Sequence, residues 1–286
     1  MLAARARRSS ARATEHGVLH GGLPYLAVGS GPPLVVLRGL SAEHTNPRGG
    51  DRWLHMRIVG PLSRHFRVHL VTPRPGVPAD VSMADLAADV GAAIRHDLDG
   101  PVAVQGISTG GSIAQQLAVD HPDLVSRLVL LASAYRLSPE GREVQRRLAA
   151  LTEDGRPRAG WAAVGPANAA GRARGRMMGA MMWLAGPVSE PDGASDMLAV
   201  IRAEDEFDVG DRLHRITAPT LVVAGGRDRY YTPELFHETA RRIPDARLVL
   251  YPRLGHAGVL THRAGQREIV RFLTGEEPGE EAGAGA

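Results

Sequence analysis

Cysteine and lysine are both absent from this chain of 286 residues. Without cysteine there is no disulfide, no thiolate metal site and no cysteine nucleophile, and the redox compartment stays open. Without lysine there is no Schiff-base chemistry and no lysine-dependent phosphate loop. The 34 basic side chains are therefore all arginine, set among 31 acids for a net charge of +3. So even a balance argues against a nucleic-acid partner. No run of about 18 apolar residues occurs, so no spanning helix is expected. Residues 1–14 are basic and small with no apolar segment, which speaks against a secretory signal. A cytoplasmic location is the expectation. Aromatics are scarce at 4%, but a hydrophobic share of 43% suits a globular protein with one large core and room for an insertion.

One stretch organises what is present. Val102-Ala-Val-Gln-Gly106-Ile-Ser108-Thr-Gly110-Gly-Ser112 runs from a Val-rich segment through Gly-x-Ser-x-Gly into an amphipathic segment ending near Val119. Strand, tight turn and helix form the context in which such a serine becomes an exposed nucleophile. A serine on so sharp a turn needs neighbours without a Cβ, which Gly106 and Gly110 supply. The new helix would offer free N–H groups and a partial positive charge to a developing oxyanion.

Around it, short apolar runs alternate with helical patterns. Residues 17–21 and 23–29 read as an antiparallel pair, with Pro24 keeping the second away from a central position. Leu34–Leu37, Phe66–Val71, Pro101–Gln105 and Leu128–Ala132 read as buried strands. A helix is predicted from Trp53 to about His65, broken at Gly60-Pro61, and another begins at Ser82 with Asp85 in its first turn. This rhythm predicts a mainly parallel sheet covered on both faces. It stops near Leu137 and resumes at Pro219–Asp228, then Arg247–Tyr251 and a terminal helix around Ile269. Between 137 and 210 only helical patterns appear, including Met177-Met178-Gly-Ala-Met181-Met182-Trp183, a pliable apolar surface suited either to ligand contact or to ordinary packing.

Ser108, Asp228 and His256 each follow a predicted strand, so a parallel sheet would bring all three to its carboxyl edge, where ligands bind. Asp205, Asp208 and Asp211 precede their strand and belong at the opposite end. With the order Ser, Asp, His, the chain resembles α/β-hydrolase-fold serine hydrolases with a helical cap, over roughly residues 16–274. The resemblance implies an α/β fold of about eight mostly parallel strands with helices on both faces. It implies a core of 15–136 and 211–274 and a helical cap at 137–210; by composition, 1–14 (basic) and 275–286 (acidic, Gly-rich) are expected to be disordered tails. It further implies Ser108 as nucleophile, His256 as base, Asp228 as its orienter, and the Leu40 and Thr109 amides as oxyanion donors. Arg38, Ser41, Met178, Met181, Met182 and Trp183 are the candidate pocket residues. The sequence departs from its relatives at Arg38, where many carry His; Arg38 would hold a substrate carboxylate or, the preferred reading, pair with an acid such as Glu43.

The expected activity is hydrolysis of an ester or related acyl bond in a small, largely apolar molecule, with no cofactor and no metal. A lyase, cyclase or C–C bond hydrolase using the same triad stays open, as does a non-catalytic ligand receptor. A homodimer is one option for the quaternary state.

Overall fold

The computed structural model describes residues 14–186 and 194–276. The tails expected at 1–14 and 275–286 lie outside these residues, apart from Thr14, Gly275 and Glu276. Eight strands form one sheet: β1 (Glu15–Leu19), β2 (Leu23–Val28), β3 (Pro33–Leu37), β4 (Arg67–Val71), β5 (Val102–Ile107), β6 (Val125–Leu131), β7 (Thr220–Gly225) and β8 (Ala246–Tyr251). Their spatial order is β1-β2-β4-β3-β5-β6-β7-β8. The first two pairings, β1 with β2 and β2 with β4, are antiparallel, and all others are parallel. Pro24 stands second in β2, one strand in from the edge.

Strands β3, β5 and β7 are Val- and Leu-rich and almost entirely buried because both faces are covered. In β3, Val35 and Leu37 join one core and Leu34 and Val36 the other; β7 divides its residues in the same alternation. Helices α1 (Gly49–Val59), α9 (His256–Leu260) and α10 (Arg263–Thr274) cover one face. Helices α2 (Met83–Asp97), α3 (Thr109–Asp120) and α8 (Pro233–Arg242) cover the other. Each fully buried Leu or Val of the central strands contributes about 1.5–3 kcal/mol. Helix starts follow local chemistry. Ser82 and Asp85 form a capping box on α2, and Thr232 caps α8 with Pro233 in the first turn. The helix predicted from Trp53 to His65 is α1 plus a short turn at Leu62–Arg64, parted at Gly60-Pro61. Trp53 points outward at 63% exposure.

Between β6 and β7 lie α4 (Pro139–Glu153), α5 (Pro157–Asn168), α6 (Arg172–Ala185) and α7 (Ala194–Glu206). Helices α4, α5 and α7 share a small apolar cluster of Leu148, Val164, Met197, Leu198 and Ile201, against which Met182 of α6 packs. Helices α5 and α6 meet backbone to backbone: a Cβ on Gly165 would stand 2.3 Å from the Gly179 nitrogen. The first turn of α7 is anchored by Asp196, whose buried carboxylate accepts the amides of Gly76 and Val77 at 2.9–3.0 Å. Among the described residues no helix is long and apolar enough to cross a membrane.

Candidate active site

The turn after β5 holds Ser108 at φ 51° and ψ −123°, a conformation that costs roughly 1–3 kcal/mol for a residue with a side chain. Two backbone bonds fix it: Ser108 N–H donates to the Leu131 carbonyl (3.0 Å), and Gly111 N–H donates to the Ser108 carbonyl (2.7 Å). The glycines are steric necessities. A Cβ on Gly110 would sit 2.3 Å from the Leu37 carbonyl oxygen, and one on Gly106 would sit 2.4 Å from the Gly111 Cα. Helix α3 starts at the next residue, so its N-terminus lies directly behind the hydroxyl.

Asp228 leaves β7 on a turn closed by its own N–H to the Gly225 carbonyl. His256 opens α9, after the loop that follows β8. These two loops are tied together, Gly226 N–H donating to the Tyr251 carbonyl and Arg227 N–H to that of Leu254. Asp228 Oδ1 accepts the amides of Tyr230 (2.8 Å) and Tyr231 (3.2 Å), which leaves Oδ2 for His256 Nδ1 at 2.6 Å. A carboxylate can only accept, so Nδ1 carries the proton and Nε2 is left to accept from the Ser108 hydroxyl at 2.9 Å. The Tyr230 ring packs 4.7 Å from the imidazole. Burial pushes both the Tyr230 and Tyr231 phenols up, so neither is an acid near neutral pH.

The hydroxyl opens onto a cavity of about 500 Å³. Its walls are mostly apolar, with Leu40, Leu54, Ile58, Trp161, Val164 and Leu260 among them. The amides of Leu40 and Thr109 donate to no carbonyl or side chain among the described residues, and both residues border the cavity beside Ser108.

A chain with these features can be compared with known ones. Residues 18–269 match the profile of the Alpha/beta hydrolase family. The chain belongs to this family. It is similar to the polyketide synthase ThaQ of Burkholderia thailandensis, at 30% identity over an alignment 277 positions long that covers 90% of this chain and 12% of the synthase. The chain thus spans only a small part of that relative. It is also similar to a pimeloyl-[acyl-carrier protein] methyl ester esterase of Nitrosomonas europaea, at 26% identity, covering 82% of this chain and 92% of the esterase. Among solved structures, the enol-lactonase of Burkholderia xenovorans LB400 superposes with a TM-score of 0.74 at 24% identity, covering 91% of this chain and all of that one. That last likeness concerns the fold.

Within this hydrolase the candidate pocket residues divide. Arg38, Ser41 and Met182 line the cavity. Met178, Met181 and Trp183 do not: α6 turns Met181 (57% exposed) and Trp183 (47% exposed) outward, while Met178 lies half-buried at the α5–α6 contact. The run of methionines spans a whole helical turn, so only one of its members reaches the ligand side. Arg38 pairs with an acid, as the preferred reading had it, but the acid is not Glu43. The guanidinium pairs with Asp51 at 2.5 Å and donates to the Thr45 carbonyl at 2.8 Å, whereas the Glu43 carboxylate accepts from Thr45 instead. Burial alone would raise the Asp51 carboxyl, but the hydrogen bond from His55 and the Arg38 charge together hold it below the usual range. Among the described residues no three His, Asp or Glu side chains gather as a metal ion requires. Sequence reasoning passed over Tyr230 and Tyr231, although they stand two and three residues after Asp228. It also passed over Glu204, which lies buried near the end of α7.

Proposed function

We propose that this chain is a serine hydrolase that cleaves an ester or related acyl bond of a small, largely apolar molecule through an acyl-enzyme. The carrying observation is the continuous Ser108–His256–Asp228 hydrogen-bond chain facing an apolar cavity. The relative from Nitrosomonas, named an ester esterase, supports the same bond class.

In this reading the Ser108 oxygen attacks the acyl carbon as its proton passes to His256 Nε2. Asp228 holds the imidazole and stabilises its cationic form. The carbonyl oxygen takes up the negative charge between the Leu40 and Thr109 amides. The proton on Nε2 then goes to the departing alcohol. Water, deprotonated by the same nitrogen, releases the acid and restores the hydroxyl.

A fluorophosphonate probe tests this at neutral pH. Mass spectrometry is expected to find one adduct, on Ser108, with full loss of p-nitrophenyl butyrate turnover. Ser108→Ala is expected to take no adduct and to lose turnover by about 10⁴-fold or more. A folded wild-type protein that takes no label would instead support a ligand receptor. Product analysis would separate hydrolysis from lyase or cyclase chemistry.

A further inference from the structure

Glu204 stands on the last turn of α7, fully buried and absent from every ion pair among the described residues. Burying an ionised carboxylate without a cation is costly unless its lone pairs are filled. Here they are filled by four neutral donors, two on each oxygen. Oε2 accepts from Thr109 Oγ1 (2.8 Å) and Gln145 Nε2 (2.8 Å). Oε1 accepts from Ser112 Oγ (2.8 Å) and Tyr231 OH (3.0 Å).

The donors come from separate parts of the fold. Thr109 and Ser112 lie on the first turn of α3, directly after Ser108. Tyr231 ends the turn whose amides hold Asp228 Oδ1. Gln145 belongs to α4, and it lines the cavity. One side chain from the inserted helices therefore fastens the residue after the nucleophile to the loop of the triad acid. The end of α3 it touches carries the partial positive charge of a helix N-terminus, which offsets part of the burial cost.

We propose that Glu204 is a positioning residue for the reaction. It touches no substrate; it holds the Thr109 amide and the Asp228 turn in the alignment that the transition state needs. The inference rests on the reading of Ser108 as nucleophile, and the test keeps the two apart.

The full chain is assayed with p-nitrophenyl butyrate, with kcat expressed per Ser108 site titrated by a fluorophosphonate. Glu204→Met keeps length and removes every acceptor. It is expected to lower kcat per titrated site by about 10- to 100-fold, the scale of a misaligned oxyanion donor, with KM within threefold. Glu204→Gln is expected to stay within fivefold of wild type. Its NH₂ can face Ser112 and Tyr231, whose hydroxyls rotate to accept, while its oxygen keeps Thr109 and Gln145. A second pair works from the other end of the bond: Thr109→Val is expected to lose about fivefold in kcat, and Thr109→Ser to retain it. If Glu204→Met does not fold, this pair decides. A part in folding alone would lower melting temperature and leave kcat per titrated site unchanged, which overturns the proposal. So would a loss confined to KM, a Glu204→Gln as slow as Glu204→Met, or equal rates for Thr109→Val and Thr109→Ser. An unlabelled wild type would overturn the nucleophile reading itself.

Discussion

The strand-borne half of the site and the four helices above it are built on different terms. Below, Ser108 and Asp228 stand on turns that leave strands buried on both faces, His256 follows the half-buried edge strand β8, and the turns are locked by backbone bonds. Gly106, Gly110 and Gly111 have backbone or side chain within 2.5 Å of where a Cβ would be. Above, α4 to α7 share a small cluster of their own, and α6 leaves Met177, Met181 and Leu184 more than half exposed. Close packing of the lower half preserves distances of 2.6 and 2.9 Å between three side chains far apart in sequence. The upper half shapes a wall, with Glu204 as the one side chain that reaches down to the first turn of α3. Glu204 apart, chemistry and substrate choice are thus expected to fail separately when each half is altered.

The largest expected effect belongs to the lower half. In Asp228→Asn the amide oxygen can keep the Tyr230 and Tyr231 amides, so the fold should hold and the melting temperature should move little. The new NH₂ would face Nδ1, which then has to give up its proton, leaving Nε2 protonated and unable to accept from Ser108. A loss of about 10³- to 10⁴-fold in kcat is expected, with KM little changed. Stopped-flow hydrolysis at pH 7.5 measures it, and a loss under tenfold would remove Asp228 from the reaction.

That asymmetry also governs what could be read in advance. Strands buried on both faces announce themselves as Val- and Leu-rich runs, and the turn at Ser108 carries its own steric signature in Gly106 and Gly110. The sheet edge, and with it the meeting of Ser108, Asp228 and His256, followed from those runs. Helix α5 left no such trace: Gly160, Gly165 and Pro166 are poor helix formers, Gly165 and Pro166 retained where α5 and α6 touch through backbone and Gly160 where α5 meets α4. The partner of Arg38 was misjudged because Asp51 reaches it only through the placement of α1, thirteen residues on, while Glu43 is closer in sequence. Glu204 was hidden for a similar reason, since its four donors come from sequence separations of 27 to 95 residues.

In the upper half a smaller and different effect is expected. Met182→Ala removes apolar wall at about 0.8 kcal/mol per methylene, so KM for a butyrate ester should rise about three- to tenfold with kcat within twofold. The double change Met177→Ser, Met181→Ser alters the outer side of the same helix and should leave both constants within twofold. Equal effects from the two would mean that α6 does not face the cavity as described, and the contrast between wall and outer surface would fall.

The smallest expected effect returns to the strands, away from the site. His69 lies buried in β4, facing Tyr25, with Arg67 and Glu15 as its charged neighbours. Burial, reinforced by the Arg67 charge, holds its imidazole below the ordinary value, against a weaker opposite pull from Glu15. The folded protein therefore takes this proton less readily than the unfolded chain, where histidine titrates near ~6.5. As pH falls through that point the unfolded state gains the proton first, so stability is present above it and declines below it. Urea midpoints should accordingly drop between pH 7.5 and 5.5, and His69→Phe should flatten the drop. Turnover per titrated site in the folded variant should follow the wild-type pH profile, because His69 acts on the frame and not on the reacting groups. A wild-type midpoint that rises toward pH 5.5, or a variant as acid-sensitive as the parent, would show that the strand half does not owe this part of its acid response to His69.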